Sequence, residues 1–402
     1  MKVRKLFLAA LIMIAANSYG QYSYMGNSYA PNVITTAVPF VSIAPDARGG
    51  SMGDCGVASA PDVYSMHYNP AKYVFLPEKL SIGLGYSPWL SNMVHDMHLA
   101  YLAGAYKIND RSAVAATLRY FNCGNIEFRN ENNEKIGDFT PNEWAVDATY
   151  SRLLGDYFSG AVAGRFIYSD LTQGQAEDAR RGISVAADVA VYYKRPVEWF
   201  SSMDADFSWG VAINNIGSKI NYKGTSDKRD FIPTTLRAGT NLTLELDEYN
   251  SLAFNVDLTK LLVPTPPVRD VSTGEVYAGY DNDVAVVTGI IQSFYDAPGG
   301  FFNDEGEWVN YGKFYEELCE INVGAGIEYW YNNVFAVRAG YFNETALKGN
   351  RKYVTLGAAL RYNVFGLDVS YLIPVNSVAG SNPLEKTLRF NLTYNMGAKK
   401  KG

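Results

Sequence analysis

Ser91, His95, Asp96 and His98 lie within one short stretch, and together they hold the groups from which a nucleophile and its base are built. Their spacing suits a single helical turn, and the chemistry it would suggest is acyl transfer. The same stretch reads equally as a solvated loop whose histidines do nothing, and we expect no catalytic role for Ser91, His95 or His98. His95 and His98 stand at i and i+3, which offers two metal ligands, but no third is evident. His67 stands alone and reads as structural. No GxSxG, Walker A or dinucleotide-binding pattern falls on a strand–helix junction. Cys55, Cys123 and Cys319 are far apart, with no CxxC or Cys/His spacing, so they form no disulfide framework. One ordinary disulfide stays open, although three scattered small apolar residues is the preferred reading. Neither an enzyme nor a cofactor nor a bound metal is expected.

A larger set of chemically capable residues is spread along the chain: Arg119, Arg165, Asp188, Arg237, Asp257, Glu328, Arg338, Arg361, Asp368 and Arg389. Each sits in a run whose apolar residues recur at every second position. In LAFNVDLTK, Leu252, Phe254, Val256 and Leu258 alternate with Ala253, Asn255, Asp257 and Thr259. In TLRFNLTYN, Leu388, Phe390, Leu392 and Tyr394 oppose Arg389, Asn391 and Thr393. A period of two puts the two sets on opposite faces of a sheet. If the apolar faces meet lipid, the charges line a lumen, where they pair with one another or anchor whatever fills it; lining a permeation path is the less favoured reading.

These charges require strands that close. We expect strands near 79–88, 97–108, 112–129, 143–154, 157–169, 181–194, 206–217, 232–246, 251–262, 320–331, 333–343, 352–363, 366–373 and 385–396. Several match the ~9–11 residues of a tilted membrane strand. Connections alternate between short (Asn109 to Arg111, Gly155-Asp156, Asp247 to Asn250, Asn332 with Asn333, Val364-Phe365) and long, polar ones, the largest being Val263 to Cys319. Short turns at one end and long loops at the other mark an outer-membrane barrel; Lys194 to Asp204 breaks the rule. Tyr and Trp gather at strand ends, as interfacial girdles require. The 30 Tyr, 20 Phe, 6 Trp and 36 Gly, with only 19% charged residues and a mean hydropathy of −0.12, fit such a barrel and exclude a disordered or multi-helix membrane chain. Asp+Glu at 41 against Lys+Arg at 35 speaks against a nucleic-acid partner.

The organisation expected is a signal peptide at 1–20, a folded segment at 21–78 and a barrel at 79–396. Lys2, Arg4 and Lys5 precede an apolar stretch from Leu6 to Ala16, with Ser18 and Gly20 before the cut; removal takes the net charge from −6 to −9. The segment Gln21 to Pro77 is rich in small residues but too apolar at Met52, Val57, Val63, Tyr64, Met66 and Tyr68 to stay solvated. A lumen of about fourteen strands is too wide for wall side chains alone, so this segment is expected inside as a hatch. In the longest loop, VAVVTGIIQSFY can form a short helix with Val286, Val287, Ile290 and Phe294 near one face. That loop is expected to be the main partner-facing surface.

The string Ala47-Arg48-Gly49-Gly50-Ser51-Met52-Gly53-Asp54, then Val57-Ala58, Pro61-Asp62 and Asn69-Pro70-Ala71-Lys72-Tyr73, ahead of about fourteen strands, resembles the FadL family of outer-membrane barrels. More narrowly it is similar to the PorV/PorQ group of that family, which serves the type IX secretion system of Bacteroidota. Ser293-Phe294 and Asp296-Ala297-Pro298-Gly299-Gly300 carry a second likeness; Phe301 to Tyr311 departs from it. The resemblance implies a chain that binds the C-terminal signal domain of secreted cargo, associates with a large translocon barrel in outer-membrane lipid, and passes cargo to the sortase of the attachment complex. It makes Val286, Ile290, Phe294, Tyr295, Asp296 and Pro298 candidates for partner contact, and Arg48, Asp54, Asn69 and Pro70 candidates for the hatch. Some relatives in this group have been linked to lipid A deacylation, which is the activity that Ser91 and His95 would serve. The alternative is a FadL-like transporter of hydrophobic small molecules.

Overall fold

In the computed structural model, fourteen antiparallel strands close into one barrel, with the last strand paired to the first. Residues 31–89, 96–129, 132–172, 178–199, 203–224, 228–270, 272–303, 305–375 and 387–397 are described. The expected signal peptide, Ser91 and His95 lie outside them. The strands are β1 (Leu80–Pro88), β2 (His98–Asn109), β3 (Ser112–Asn122), β4 (Asn142–Leu153), β5 (Phe158–Asp170), β6 (Gly182–Val197) and β7 (Asp204–Gly217). They continue as β8 (Thr235–Glu245), β9 (Asn250–Leu261), β10 (Ile321–Tyr331), β11 (Phe335–Asn343), β12 (Lys352–Tyr362), β13 (Phe365–Pro374) and β14 (Leu388–Met396).

The alternation does what its period demands. On β1, Ile82, Leu84 and Tyr86 face outward while Ser81 and Ser87 are buried; on β6, Ile183, Val185 and Val189 face outward while Ser184, Ala186 and Asp188 are buried. Aromatic pairs mark both rims. Trp144 stacks on Tyr168 at the long-loop end, and Tyr193 on Trp209 at the short-turn end. The short turns follow from residues that tolerate a left-handed backbone: Asn332 and Asn333 between β10 and β11 (φ 49° and 54°), and Asn363 between β12 and β13 (φ 53°). Between β6 and β7, where a long connection was expected on the short side, β6 itself runs on to Val197 and absorbs part of it.

Two expected strands were too long. The run 112–129 breaks after Asn122, whose side-chain oxygen accepts from Gly124 N–H at 2.8 Å, with Gly124 at φ 85°. Residues Ile126–Arg129 then pair with Lys135–Phe139 as a separate hairpin in the loop. β8 starts at Thr235 rather than 232, because Pro233 has no N–H for the ladder. The largest loop holds two small hairpins, Val268–Arg269 with Val276–Ala278 and Gly300–Phe302 with Trp308–Asn310. Two helices accompany them, labelled α2 (Val286–Gln292) and α3 (Lys313–Cys319), while α1 (Ala47–Gly50) lies in the N-terminal segment.

Candidate functional site

The N-terminal segment is tied to the inner wall by bonds that its sequence prescribes. Asp46 caps α1, its carboxylate accepting from Gly49 N–H at 2.7 Å. Asn69 plays the same part for the 3₁₀ turn Pro70–Phe75: its side-chain oxygen accepts from Ala71 N–H at 3.0 Å, with Pro70 at the first position, where a missing N–H costs nothing. The amide of Asn69 donates to the carbonyls of Val57 and of Val191 on β6. Ala71 is small enough to meet the wall, where the hydroxyls of Ser151 (β4) and Ser159 (β5) both donate to its carbonyl. Met66, Tyr73, Val74 and Leu76 form one apolar core with Tyr101, Ala103, Ala113 and Ala163 of β2, β3 and β5. Phe40 and Val41 form another with Leu99, Phe121, Ala145 and Ile167. Gly53 has φ +69°, and a Cβ there would fall 2.4 Å from the Tyr341 carbonyl oxygen, well inside van der Waals contact.

The inward charges pair with one another and with this segment. Arg48 forks onto Glu328 of β10 (Nε–Oε2 2.9 Å, Nη2–Oε1 2.7 Å) and also reaches Asp62 at 3.1 Å. Arg338 (β11), directly opposite Glu328 in the ladder, donates to it at 2.6 Å and to Asp368 (β13) at 2.8 Å. Asp368 also holds Arg361 at 2.6 Å. The result is a chain of alternating sign, Asp62–Arg48–Glu328–Arg338–Asp368–Arg361, whose charges balance. Arg165 bonds Asp147, Asp188 and Asn215. Asp257 accepts from the N–H groups of Gly56 (2.6 Å) and Val57 (2.9 Å). Arg119 donates to the carbonyls of Phe40, Val41 and Ile43. Asp54 takes a hydrogen bond from the Tyr353 hydroxyl and has Arg389 at 3.7 Å. His67 lies between Arg119 and Arg237, in hydrogen-bond reach of both. Most of these charges are buried, Asp54, Asp62 and Arg361 being half-buried, and a missing partner in such a place is expensive.

Between β6 and β7 the register shifts once: Ala187 faces Ile216, while Val189 faces Ile213. The extra residue makes a bulge at Asn215 (φ 61°), whose N–H donates to Asp188 at 2.7 Å and whose amide donates to Pro233 O. The pairing resumes on either side, so the strand ladder runs unbroken around the barrel.

Outside the lumen, the long loop is braced from beneath by a second charge cluster. Glu316 is fully buried and accepts from Gly299 N–H, Asn32 and Lys348, each at 2.7–3.1 Å. Glu320 takes Lys348 at 2.9 Å and the Thr265 hydroxyl at 2.6 Å, and Lys260 joins Glu317 to Glu320. Asp296 accepts from Thr265 N–H at 3.0 Å and from Gln292 at 3.4 Å. Burial, together with Glu320 and Glu317 nearby, pushes its carboxyl up to about 7.

Of the loop residues singled out from sequence, Phe294 and Tyr295 are exposed, while Val286 and Ile290 are half-buried. Asp296 and Pro298 lie underneath. Asp296 thus staples the loop from inside, buried beneath the exposed residues expected at the same surface. The helix is present but rotated from expectation: Gly289 and Gln292 turn inward, and Val287 and Ile291 join Phe294 outside. Lys260, Glu316, Glu320 and Lys348 were missed. One signal for them was present, since Lys260 continues the outward row Leu252, Phe254, Val256, Leu258, where a lone cation would meet lipid unless covered.

Of the suspected catalytic stretch, Asp96 accepts from Asn125 N–H at 2.7 Å, and His98 packs between Tyr86 and Tyr120. Among the described residues, no three His, Cys, Asp or Glu side chains converge as a metal site, and all three cysteines are free thiols.

A protein-family profile described as "Type IX secretion system protein PorV" matches residues 27–268. No curated protein matches the chain. Among solved structures, the chain is similar to the Pseudomonas putida toluene transporter TodX, at 12% identity and a TM-score of 0.47, covering 87% of this chain and 98% of that one. It is also similar to the Ralstonia pickettii toluene transporter TbuX, at 10% identity and 0.45, covering 89% and 98%. A Pseudomonas aeruginosa FadL homologue matches at 12% identity and 0.39, covering 91% and 100%. No enzymatic family is among these matches.

Proposed function

The chain belongs to the PorV family of type IX secretion system proteins, which makes it an outer-membrane component of that system, and on this premise we propose that its extracellular loops are the working part. They bind the C-terminal signal domain of secreted cargo beside the large translocon barrel, and the protein then carries the cargo to the surface sortase. The barrel is the anchor, and residues 31–78 are a fixed hatch.

The observation that carries this reading is a contrast between the two ends of the molecule. Inside, buried charges on β3, β8, β9, β10 and β14 bond to carbonyls, N–H groups and side chains of the N-terminal segment, and its displacement would strand several of them at once. A transporter of hydrophobic molecules would need a passage past that segment or a gap between strands, and the ladder is continuous. Outside, Val287, Ile291, Phe294 and Tyr295 stand exposed on a loop stapled rigidly from beneath. Apolar groups held in the open on a fixed base suit a protein partner, because little ordering entropy is lost when it docks.

The test is the combined variant Val287→Ser, Ile291→Ser, Phe294→Ser, Tyr295→Ser, which leaves the ion pairs and side-chain hydrogen bonds beneath the loop in place. The barrel should assemble at normal levels, with heat-modifiable migration on gels, while cargo accumulates in the periplasm. Normal secretion by this variant would refute the reading.

A further inference from the structure

The alternation on β9 continues Leu252, Phe254, Val256 and Leu258 into Lys260, so Lys260 points out of the barrel toward the membrane. Yet it is buried, because Glu317 and Glu320 at the end of the long loop cover it, and Phe294 lies 5.9 Å from its ammonium. The loop therefore folds down over the outside of the wall at β9 and β10. Ten residue steps along β9, at roughly 3.3 Å each and tilted by about 40°, raise Lys260 roughly 25 Å above Asn250. That is about the height of an outer-membrane apolar band, so Lys260 and the helix above it sit at the outer interface.

α3 presents two faces there. Glu316, Cys319 and Glu320 are buried against the barrel rim. Phe314 and Leu318, one turn apart on the opposite face, are 77% and 49% exposed. Because the buried face covers a side chain that points radially outward, the opposite face points further out, into the plane of the membrane. It continues the lipid-facing row that Leu258 and Ile327 occupy below it.

We propose that α3 is an interfacial helix whose Phe314–Leu318 ridge rests in outer-leaflet lipid beside β9 and β10. Its fixed attachment to the wall places the ridge at the depth where headgroups give way to acyl chains, the position such amphipathic elements occupy. The long loop is thereby held at a set height above the membrane. The proposal depends on the outer-membrane barrel and stands apart from the cargo reading.

The full chain is reconstituted in nanodiscs of palmitoyl-oleoyl-phosphatidylcholine, with p-benzoylphenylalanine replacing Phe314, Leu318 or, as an exposed control on α2, Val287. After irradiation, intact mass should show a single-phospholipid adduct at 314 and 318, about ten-fold more than at 287. In native outer membranes the adducts at 314 and 318 should again be to lipid, there the glycolipid or phospholipid of the outer leaflet. Absence of lipid adduct at 314, equal yield at 287, or a protein adduct replacing lipid in native membranes would each overturn the proposal, the last by assigning the ridge to a protein neighbour.

Discussion

Replacing Glu328 by Ala removes the central anion of the lumen network and leaves two buried guanidiniums, Arg48 and Arg338, each without its main partner. Three charge-assisted bonds of 2.6–2.9 Å are lost, at a site only 3% exposed. Breaking a buried pair from one side costs about 3–5 kcal/mol, a large share of the ~5–15 kcal/mol that holds an ordinary domain together. Arg48 belongs to the N-terminal segment and Arg338 to the wall, so the loss should fall on the contact between them rather than on the strand ladder. At 1.36 kcal/mol per decade, amide exchange across residues 46–62 should accelerate by roughly two to four orders of magnitude. Exchange in β3 to β6, on other strands, should change little. Glu328→Gln keeps one of the two acceptor oxygens without the charge and should show a smaller effect. The assay is exchange with mass-spectrometric readout on the intact barrel in detergent or nanodiscs. Exchange at 46–62 staying within about three-fold of the parent, with the barrel intact, would refute the argument that these charges clamp the segment.

Gly53→Ala meets both an unfavourable left-handed backbone and the Tyr341 carbonyl, so folded, heat-modifiable barrel should fall well below parent levels; normal yield would contradict the close approach. Asp257→Ala strands the N–H groups of Gly56 and Val57 and should cost about 1–3 kcal/mol locally, read as faster exchange at those amides. Asp296 is raised from 3.8 to about 7 in the folded loop, so its contribution is greatest below pH 3.8 and is lost as pH rises toward and through 7. Corrected for intrinsic rates, exchange at 289–297 should rise between pH 6 and pH 8, and Asp296→Asn should flatten that rise; an unchanged slope would remove Asp296 as the cause.

Most of the barrel was legible because one period of two, repeated, encodes it: the outward row of β9 and the inward charges of β10 to β14 read directly from the alternation. The strand over 112–129 was over-read because Cys123-Gly124-Asn125 is a turn only by virtue of Asn122 folding back on its own backbone, a local bond that periodicity does not register. The face of α2 was misjudged for a similar reason. Its apolar residues suggested the contact face, but a glycine at 289 and a buried glutamine at 292 settle which side packs against Phe231 and Pro264 beneath. The charges under the loop depend on Lys260, Glu316, Glu320 and Lys348 meeting across as many as 88 positions of sequence, and such convergence is fixed only by the closed fold.

The central claim is that the extracellular loop surface, rather than the lumen, engages cargo. The most direct measurement is affinity isolation of the tagged protein from outer membranes, comparing the parent, the Val287/Ile291/Phe294/Tyr295 serine variant and Glu328→Ala. Cargo carrying its C-terminal signal domain should accompany the parent and Glu328→Ala but not the loop variant. Cargo retained by the loop variant and lost with Glu328→Ala would contradict the account.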